Sequence, residues 1–258
     1  MSKTALITGA SSGIGLEMAR LFARDKVNLA LVARNEAALK SIAEELSNMY
    51  GIQADIIVSD LSQANAPFEL FEEVQRRGLR VGYLINNAGF GIYEEFLKTE
   101  LSRELEMIQL HVATTTALTK LFAEDMARSG GGRIMNVAST AAFQPGPWMS
   151  VYYATKAYML SYSEAANEAL RETGVTVTCL CPGPTPTNFQ VRAKNRKKGL
   201  LRHVKTSAEY VARAGYAAMH SGKPLIVPGV LNKFGVFAVR ILPRRFVTRL
   251  SRLAAEKS

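Results

Sequence analysis

Lys3 to Gly15 reads KTALITGASSGIG. Its first six residues, KTALIT, are a short apolar run after a polar start, the pattern of a strand buried in a parallel sheet. The glycines follow at once, and an amphipathic run, LEMARLFARD, follows them. A strand that feeds a glycine-rich turn into a helix N-terminus makes an anion site. The backbone N–H groups there have no intrahelical partners, and the helix dipole is positive at that end. Gly9 permits the tight turn, Gly13 lets a pyrophosphate approach the backbone, and Gly15 lets the helix pack on the strand. The spacing is G-x-x-x-G-x-G rather than G-x-G-x-x-G, so the turn alone is a weak signal and its strand–turn–helix context carries it.

The pattern repeats down the chain. Asn28–Ala33, Ala54–Ser59, Val81–Ile85, Arg133–Ala138, Val175–Leu180 and Leu225–Val227 read as further strands. Glu36–Asn48, Pro67–Arg77, Leu101–Arg128, Ser150–Thr173 and Thr206–His220 read as the helices between them. The 101–128 helix is expected to carry an apolar face through Leu105, Ile108, Val112 and Leu118. Ser150 is expected to cap the helix that ends before Gly174. Such alternation implies an α/β fold, a parallel, doubly wound sheet of about seven strands with right-handed crossovers. Ligands bind these sheets at the carboxyl edge of the strands.

The candidate ligand contacts share that edge. Ala33 and Arg34 end the second strand with no carboxylate, where an acid would hold the ribose 2′-hydroxyl of NAD; a guanidinium suits the 2′-phosphate of NADP instead. Asp60, ahead of Leu61, either accepts from an adenine amino group or caps the next helix. The turn Asn86–Gly89 (NNAG) lets backbone approach a flat ligand. The stretch CPGPTPT cannot be helical and offers the hydroxyls of Thr185 and Thr187.

The segment Ser139–Lys156, STAAFQPGPWMSVYYATK, holds a serine, a tyrosine and a lysine. Tyr152 and Lys156 lie one helical turn apart and share a helix face. A cation beside a phenol favours the phenolate and lowers the phenol's pKa from its reference near ~10. Tyr152 is therefore expected to exchange protons near neutral pH, with Ser139 holding a substrate oxygen. Tyr-x-x-x-Lys also arises by chance on many helices, so its weight comes from the rest of the chain.

A 258-residue chain that is 48% hydrophobic and 21% charged is a globular domain. The opening MSKTALITG runs straight into a strand, so no leader is expected, and no apolar run reaches a membrane span. Cys179 and Cys181 are expected on opposite faces of a strand, unable to pair, and no metal site is expected. The formal charge of +10 points to anionic partners. Nucleic acid is an unsuitable one, because no basic-aromatic stacking platform or recognition motif is present.

Together, TGASSGIG at Thr8–Gly15, Asp60-Leu61, NNAG at Asn86–Gly89, Ser139, Tyr152-x-x-x-Lys156 and PGPTPT at Pro182–Thr187 resemble the short-chain dehydrogenase/reductase family, over about residues 3 to 190. The resemblance implies a single-domain Rossmann-type fold and NAD(P)H-dependent hydride transfer between nicotinamide and a carbonyl or secondary alcohol; Arg34 is what favours NADP(H) over NAD(H). It implies cofactor contacts from Gly9, Ser11, Ser12, Gly13, Ile14, Gly15, Arg34, Asp60, Leu61, Asn87, Ala88, Gly89, Pro182, Gly183, Thr185 and Thr187. It makes Tyr152 the general acid/base, Lys156 the ribose anchor that tunes it, and Ser139 the holder of the substrate oxygen. One departure is His111, at a place where the family usually has an asparagine that helps hold a water beside the lysine. An imidazole can donate and accept, so a part in the proton path stands beside a repacked interior histidine. An NADP(H)-binding regulatory protein with little catalysis is the alternative, against which the intact Ser–Tyr–Lys set argues.

Phe90, Ile92, Phe143, Gln144, Trp148 and the 190–205 loop are the expected pocket walls, suiting an acyl, lipid-like, steroid or aromatic substrate. Gln190–Lys205 is basic with no acid, and reads as a mobile substrate loop or a contact for an acyl-carrier protein, a coenzyme A thioester or phospholipid headgroups. Residues 1–229 form the expected catalytic domain and 230–258 a basic amphipathic tail, suited to a membrane surface or a partner subunit. A cytoplasmic homodimer or homotetramer, peripheral to a membrane through the tail, is the expected setting.

Overall fold

The computed structural model describes residues 3–186 and 206–256. One sheet of seven parallel strands runs in the order β3-β2-β1-β4-β5-β6-β7. The strands are β1 (Thr4–Thr8), β2 (Asn28–Ala33), β3 (Ala54–Val58), β4 (Val81–Asn86), β5 (Gly132–Val137), β6 (Val175–Leu180) and β7 (Leu225–Ile226). They match the sequence expectations to within a residue or two at each end.

The helices cover both faces of the sheet. They are α1 (Gly13–Arg24), α2 (Glu36–Tyr50), α3 (Ala66–Arg76), α4 (Leu101–Ile108), α5 (Thr115–Arg128), α6 (Ser150–Ala169), α7 (Ala208–His220), α8 (Val230–Ile241) and α9 (Arg244–Glu256). Strand alternation sorts the core into two layers. Ala5 and Ile7 of β1 pack with Met18 and Phe22 of α1, Leu39 and Leu46 of α2, and Val211 of α7. Leu6 points the other way, toward Leu70 of α3 and Leu118 and Phe122 of α5. Phe22 and Phe122 are fully buried, one in each layer, and truncating either to alanine would cost ~3–5 kcal/mol.

The chain winds outward from β1 to β3, then returns to place β4 on the other side of β1. A crevice opens where the order reverses. Hydrogen bonds close its floor. The Thr8 hydroxyl donates to the Ile85 carbonyl and accepts from the backbone N–H groups of Asn87 and Ala88. The Asn87 amide donates to the carbonyls of Thr8 and Gly9.

Three local expectations are corrected. The 101–128 helix is not one regular helix: Gln109–Thr114 is a π-helical turn between α4 and α5. The wider turn shifts α5 relative to α4, so one apolar stripe does not run through both, and α4 itself turns Met107 inward. Leu105 and Ile108 are exposed, while Met107, Leu110, His111 and Thr114 are buried. Ser150 is the first residue of α6, and Met149 takes the cap position without a side-chain bond. The cysteines do not face opposite ways, because side chains two residues apart on a strand share a face. Cys179 and Cys181 are buried with their sulfurs 3.7 Å apart, and contact with Cys179 together with burial pushes the Cys181 thiol up.

Candidate active site

The carboxyl ends of the strands open on a cavity of about 710 Å³. Gly9, Ser11, Ser12, Gly13 and Ile14 line one end of it. Gly9 has φ +66°, and a Cβ there would lie 2.8 Å from the Asn87 amide nitrogen. Gly15 is not on the wall; a Cβ on it would come within 2.4 Å of the Gly9 carbonyl oxygen. Both positions therefore need glycine: one for its left-handed backbone, the other for close packing. Ser12 gives α1 no side-chain cap, and the first turn of α1 holds no acid. The positive end of α1 thus meets the cavity with no acidic side chain of its own to neutralise it.

Arg34, at the end of β2, and Asp60 and Leu61, after β3, line the same cavity. Arg34 Nη1 lies 3.7 Å from Asp60 Oδ2, and both side chains are largely exposed. Asp60 does not cap α3, whose cap position is Asn65. Its Oδ1 accepts from the backbone N–H and hydroxyl of Ser62. Partial burial works to raise the Asp60 carboxyl, but the Ser62 bonds and the Arg34 cation outweigh it and hold its pKa below the usual value.

Deeper in the cavity lie Ser139, Tyr152 and Lys156. Ser139 follows β5 in extended backbone, and its hydroxyl accepts from the Ala141 N–H. The Tyr152 hydroxyl is hydrogen-bonded to the Ser139 side chain. The Lys156 ammonium donates to the Val137 carbonyl at 2.8 Å and stands 5.7 Å from the centre of the Tyr152 ring. Burial lowers the Lys156 pKa to about 8, so it stays mostly charged at neutral pH. Burial also raises the Tyr152 pKa above the usual phenol value, and the Ser139 bond opposes this only in part. The expected lowering by Lys156 is thus absent from the chain by itself: desolvation of the phenol dominates.

His111 does not line the cavity; it sits behind Gly89 in the π turn, fully buried. Its Nε2 accepts from the Phe90 N–H at 3.2 Å, which leaves the proton on Nδ1. Nδ1 then donates to the Thr155 hydroxyl at 3.0 Å, and that hydroxyl donates to the Tyr152 carbonyl. Burial first, and the Lys156 charge second, push the imidazole pKa well below its ordinary value. His111 is therefore neutral, with both ring nitrogens taken by protein groups. The geometry links the NNAG turn to the helix of Tyr152; it leaves no ring nitrogen unengaged for a water.

A family model for short chain dehydrogenases matches residues 3–198. The chain belongs to the short-chain dehydrogenase family. Among solved structures, a short-chain dehydrogenase from Sphingobium yanoikuyae in complex with NADPH is 28% identical, with a TM-score of 0.82, covering 94% of this chain and 97% of that one. Hydroxysteroid dehydrogenase-like protein 1 of Gallus gallus is 30% identical over 69% of this chain and 54% of its own length. A very-long-chain 3-oxoacyl-CoA reductase of Coprinopsis cinerea is 31% identical over 85% of this chain and 66% of its own. The chain thus spans between half and two thirds of these curated relatives.

In this short-chain dehydrogenase the cavity also takes in Asn87, Ala88, Gly89, Pro182, Gly183 and Thr185. The Thr185 hydroxyl donates to the Gly183 carbonyl. Thr187 and the basic stretch Gln190–Lys205 lie outside the described residues. Of the expected walls, Phe90, Phe143 and Gln144 line the cavity. Ile92 and Trp148 do not: they border a separate small hollow, where Trp148 stacks on Tyr93.

Sequence reasoning missed the far wall, formed by Met149, Tyr153 and one face of α8 with Leu231, Asn232, Gly235, Val236 and Val239. The i, i+4, i+8 spacing of Leu231, Gly235 and Val239 was the available signal. It also missed a buried polar chain under the site. The Asn86 amide donates to Thr119 and Asn136, and the Asn136 amide donates to Ser163. That chain ties the ends of β4 and β5 to α5 and α6.

Proposed function

We propose that this chain transfers hydride between NADP(H) and a carbonyl or secondary alcohol of an apolar substrate. The observation that carries the reading is the hydrogen bond between the Tyr152 and Ser139 hydroxyls, beside buried Lys156, in the cavity that the N-terminus of α1 adjoins. The residues present fit a dinucleotide. The Ser11–Ile14 turn would hold the pyrophosphate, Arg34 the 2′-phosphate, and Asn87–Gly89 with Pro182, Gly183, Thr185 and Thr187 the nicotinamide half. The NADPH complex of the similar Sphingobium protein supports the choice of NADP(H), as does the carboxylate-free end of β2.

When bound, the reduced nicotinamide supplies a hydride to the carbonyl carbon. Tyr152, kept protonated by burial, gives the Oη proton to the carbonyl oxygen. Ser139 Oγ holds that oxygen in place. The Lys156 cation, 5.7 Å from the Tyr152 ring centre, would stabilise the phenolate left behind once the cofactor is bound and would anchor the ribose. His111 acts here as a positioning residue, keeping Thr155, and with it the first turns of α6, against the NNAG turn. The walls Phe90, Phe143, Met149, Val236 and Val239 favour an apolar substrate, in line with the acyl-CoA reductase named among the relatives. Exposed Leu101, Leu105 and Ile108 on α4 support a homo-oligomer.

A panel of ketones and alcohols tested with NADPH and NADH, read at the nicotinamide absorbance, tests the proposal. Apolar ketones should consume NADPH, and Tyr152→Phe should lose ~10²-fold or more in turnover while still binding NADPH. A variant that turns over at the parental rate, or a parent that prefers NADH and sugars, would overturn it.

A further inference from the structure

Helix α8 has two apolar faces. One, through Gly235, Val236 and Val239, lines the cavity. The other faces outward: Val230 is 68% exposed, Phe234 68%, Phe237 61% and Ile241 69%. At 3.6 residues per turn these four fall on one narrow stripe, roughly opposite the cavity face, with Lys233 and Arg240 along one margin. Helix α9 repeats the design. Val247 is buried and Ser251 bonds to Tyr153 on the body side, while Phe246, Leu250 and Leu253 share an exposed stripe beside Arg245, Arg249 and Arg252.

Large apolar side chains clustered on a surface mark a contact site. Charge chooses the occupant. Between Glu209 and Glu256 the chain has no acidic residue, so from Val230 to the last residue before Glu256 these two helices carry cations alone. A second copy would bring the same cations to the contact and be repelled. A surface that is anionic above and hydrocarbon below matches both the cations and the stripes. Among the described residues no helix is long and apolar enough to cross a membrane, so the contact would lie in the plane of the interface.

We infer that α8 and α9 dock this protein on an anionic lipid bilayer, with α8 as the partition between the bilayer and the cavity. Leu231, 65% exposed yet part of the cavity wall, stands at the edge of that partition. Docking there would let an apolar substrate pass from lipid to cavity past one helix; this last point rests on the proposed function, whereas docking does not.

Flotation of the full chain with vesicles tests docking without any activity measurement. Phosphatidylglycerol/phosphatidylcholine vesicles should carry the protein up at low salt, and pure phosphatidylcholine vesicles should not. Arg245→Gln/Arg249→Gln should weaken binding on the order of tenfold or more, and Phe234→Ser/Phe237→Ser should abolish it with an unchanged circular dichroism spectrum. Three results would overturn the inference: no flotation at low salt, equal flotation with both vesicle types, or a dimer in sedimentation that the Phe234→Ser/Phe237→Ser change splits into monomers. The last would make the face a contact between copies. Failure of flotation with intact NADPH-dependent turnover would leave the enzymatic reading standing.

Discussion

Nδ1 of His111 lies 3.0 Å from Oγ1 of Thr155, and that hydroxyl donates a hydrogen bond to the Tyr152 carbonyl. With Nε2 accepting from Phe90, the ring is fixed as one neutral tautomer. Below the ordinary histidine pKa of 6.5 the unfolded chain binds a proton here and the folded chain does not. Stability should therefore fall as pH drops below 6.5, by up to about 2 kcal/mol at pH 5 from this residue. Urea melts of parent and His111→Asn at pH 7.5 and pH 5 measure it. The variant should lose less on acidification, and its rate profile with pH should keep the parental shape. A lost inflection would place His111 in proton transfer.

Lys156 gives the opposite end of the profile. Its pKa falls from 10.5 to about 8 on folding, so between these values the unfolded chain holds more protons. Stability should rise with pH across that window, by up to about 3 kcal/mol, until Tyr152 reverses the trend. Above the ordinary phenol pKa of 10.0 the unfolded chain has lost the Tyr152 proton that the folded chain keeps, which favours unfolding. In Lys156→Met the rise between pH 8 and 10 should disappear in chemical denaturation, together with turnover.

Among the described residues Arg34 is held by an exposed ion pair with Asp60, 3.7 Å away, worth little in water. A 2′-phosphate can take the guanidinium without breaking anything valuable. Arg34→Ala should weaken NADPH binding about tenfold or more and leave NADH nearly unchanged, the scale of one charge-assisted hydrogen bond. Titrations of both nucleotides by fluorescence would show it.

Gly235 lies on the cavity wall, and a Cβ built there meets no atom within 4 Å. Gly235→Leu should therefore fold normally and narrow the cavity. Bulky ketones should lose kcat/KM by on the order of tenfold or more, while small ones keep theirs. Equal losses across a size series would remove α8 from the substrate wall.

The sheet was legible because its strands are short, mostly apolar stretches ended by turn residues and separated by helical periodicity, as in KTALIT before Gly9. The reacting set was legible because Tyr152 and Lys156 are one turn apart on a single helix, so local geometry decides their meeting. What escaped depended on distant parts of the chain. Burial, set by the whole fold, raises the Tyr152 pKa where the nearby lysine alone would lower it. Phe143 faces the cavity while Trp148 turns to Tyr93, and nothing in their spacing separates them. The spacing of Leu231, Gly235 and Val239 marks a face of α8, but that this face meets the cavity follows from where the C-terminal segment folds back. The shared face of Cys179 and Cys181 was available from strand alternation.

The π turn at Gln109–Thr114 has an evolutionary consequence. A helix that gains one residue without rotating its flanks must bulge, and loss of one residue closes the bulge again. Deleting a single codon there would keep α4 and α5 on their present sides and remove the seat in which His111 braces Phe90 and Thr155. The brace could thus be acquired or lost in one genetic event, independently of the Ser–Tyr–Lys trio it supports.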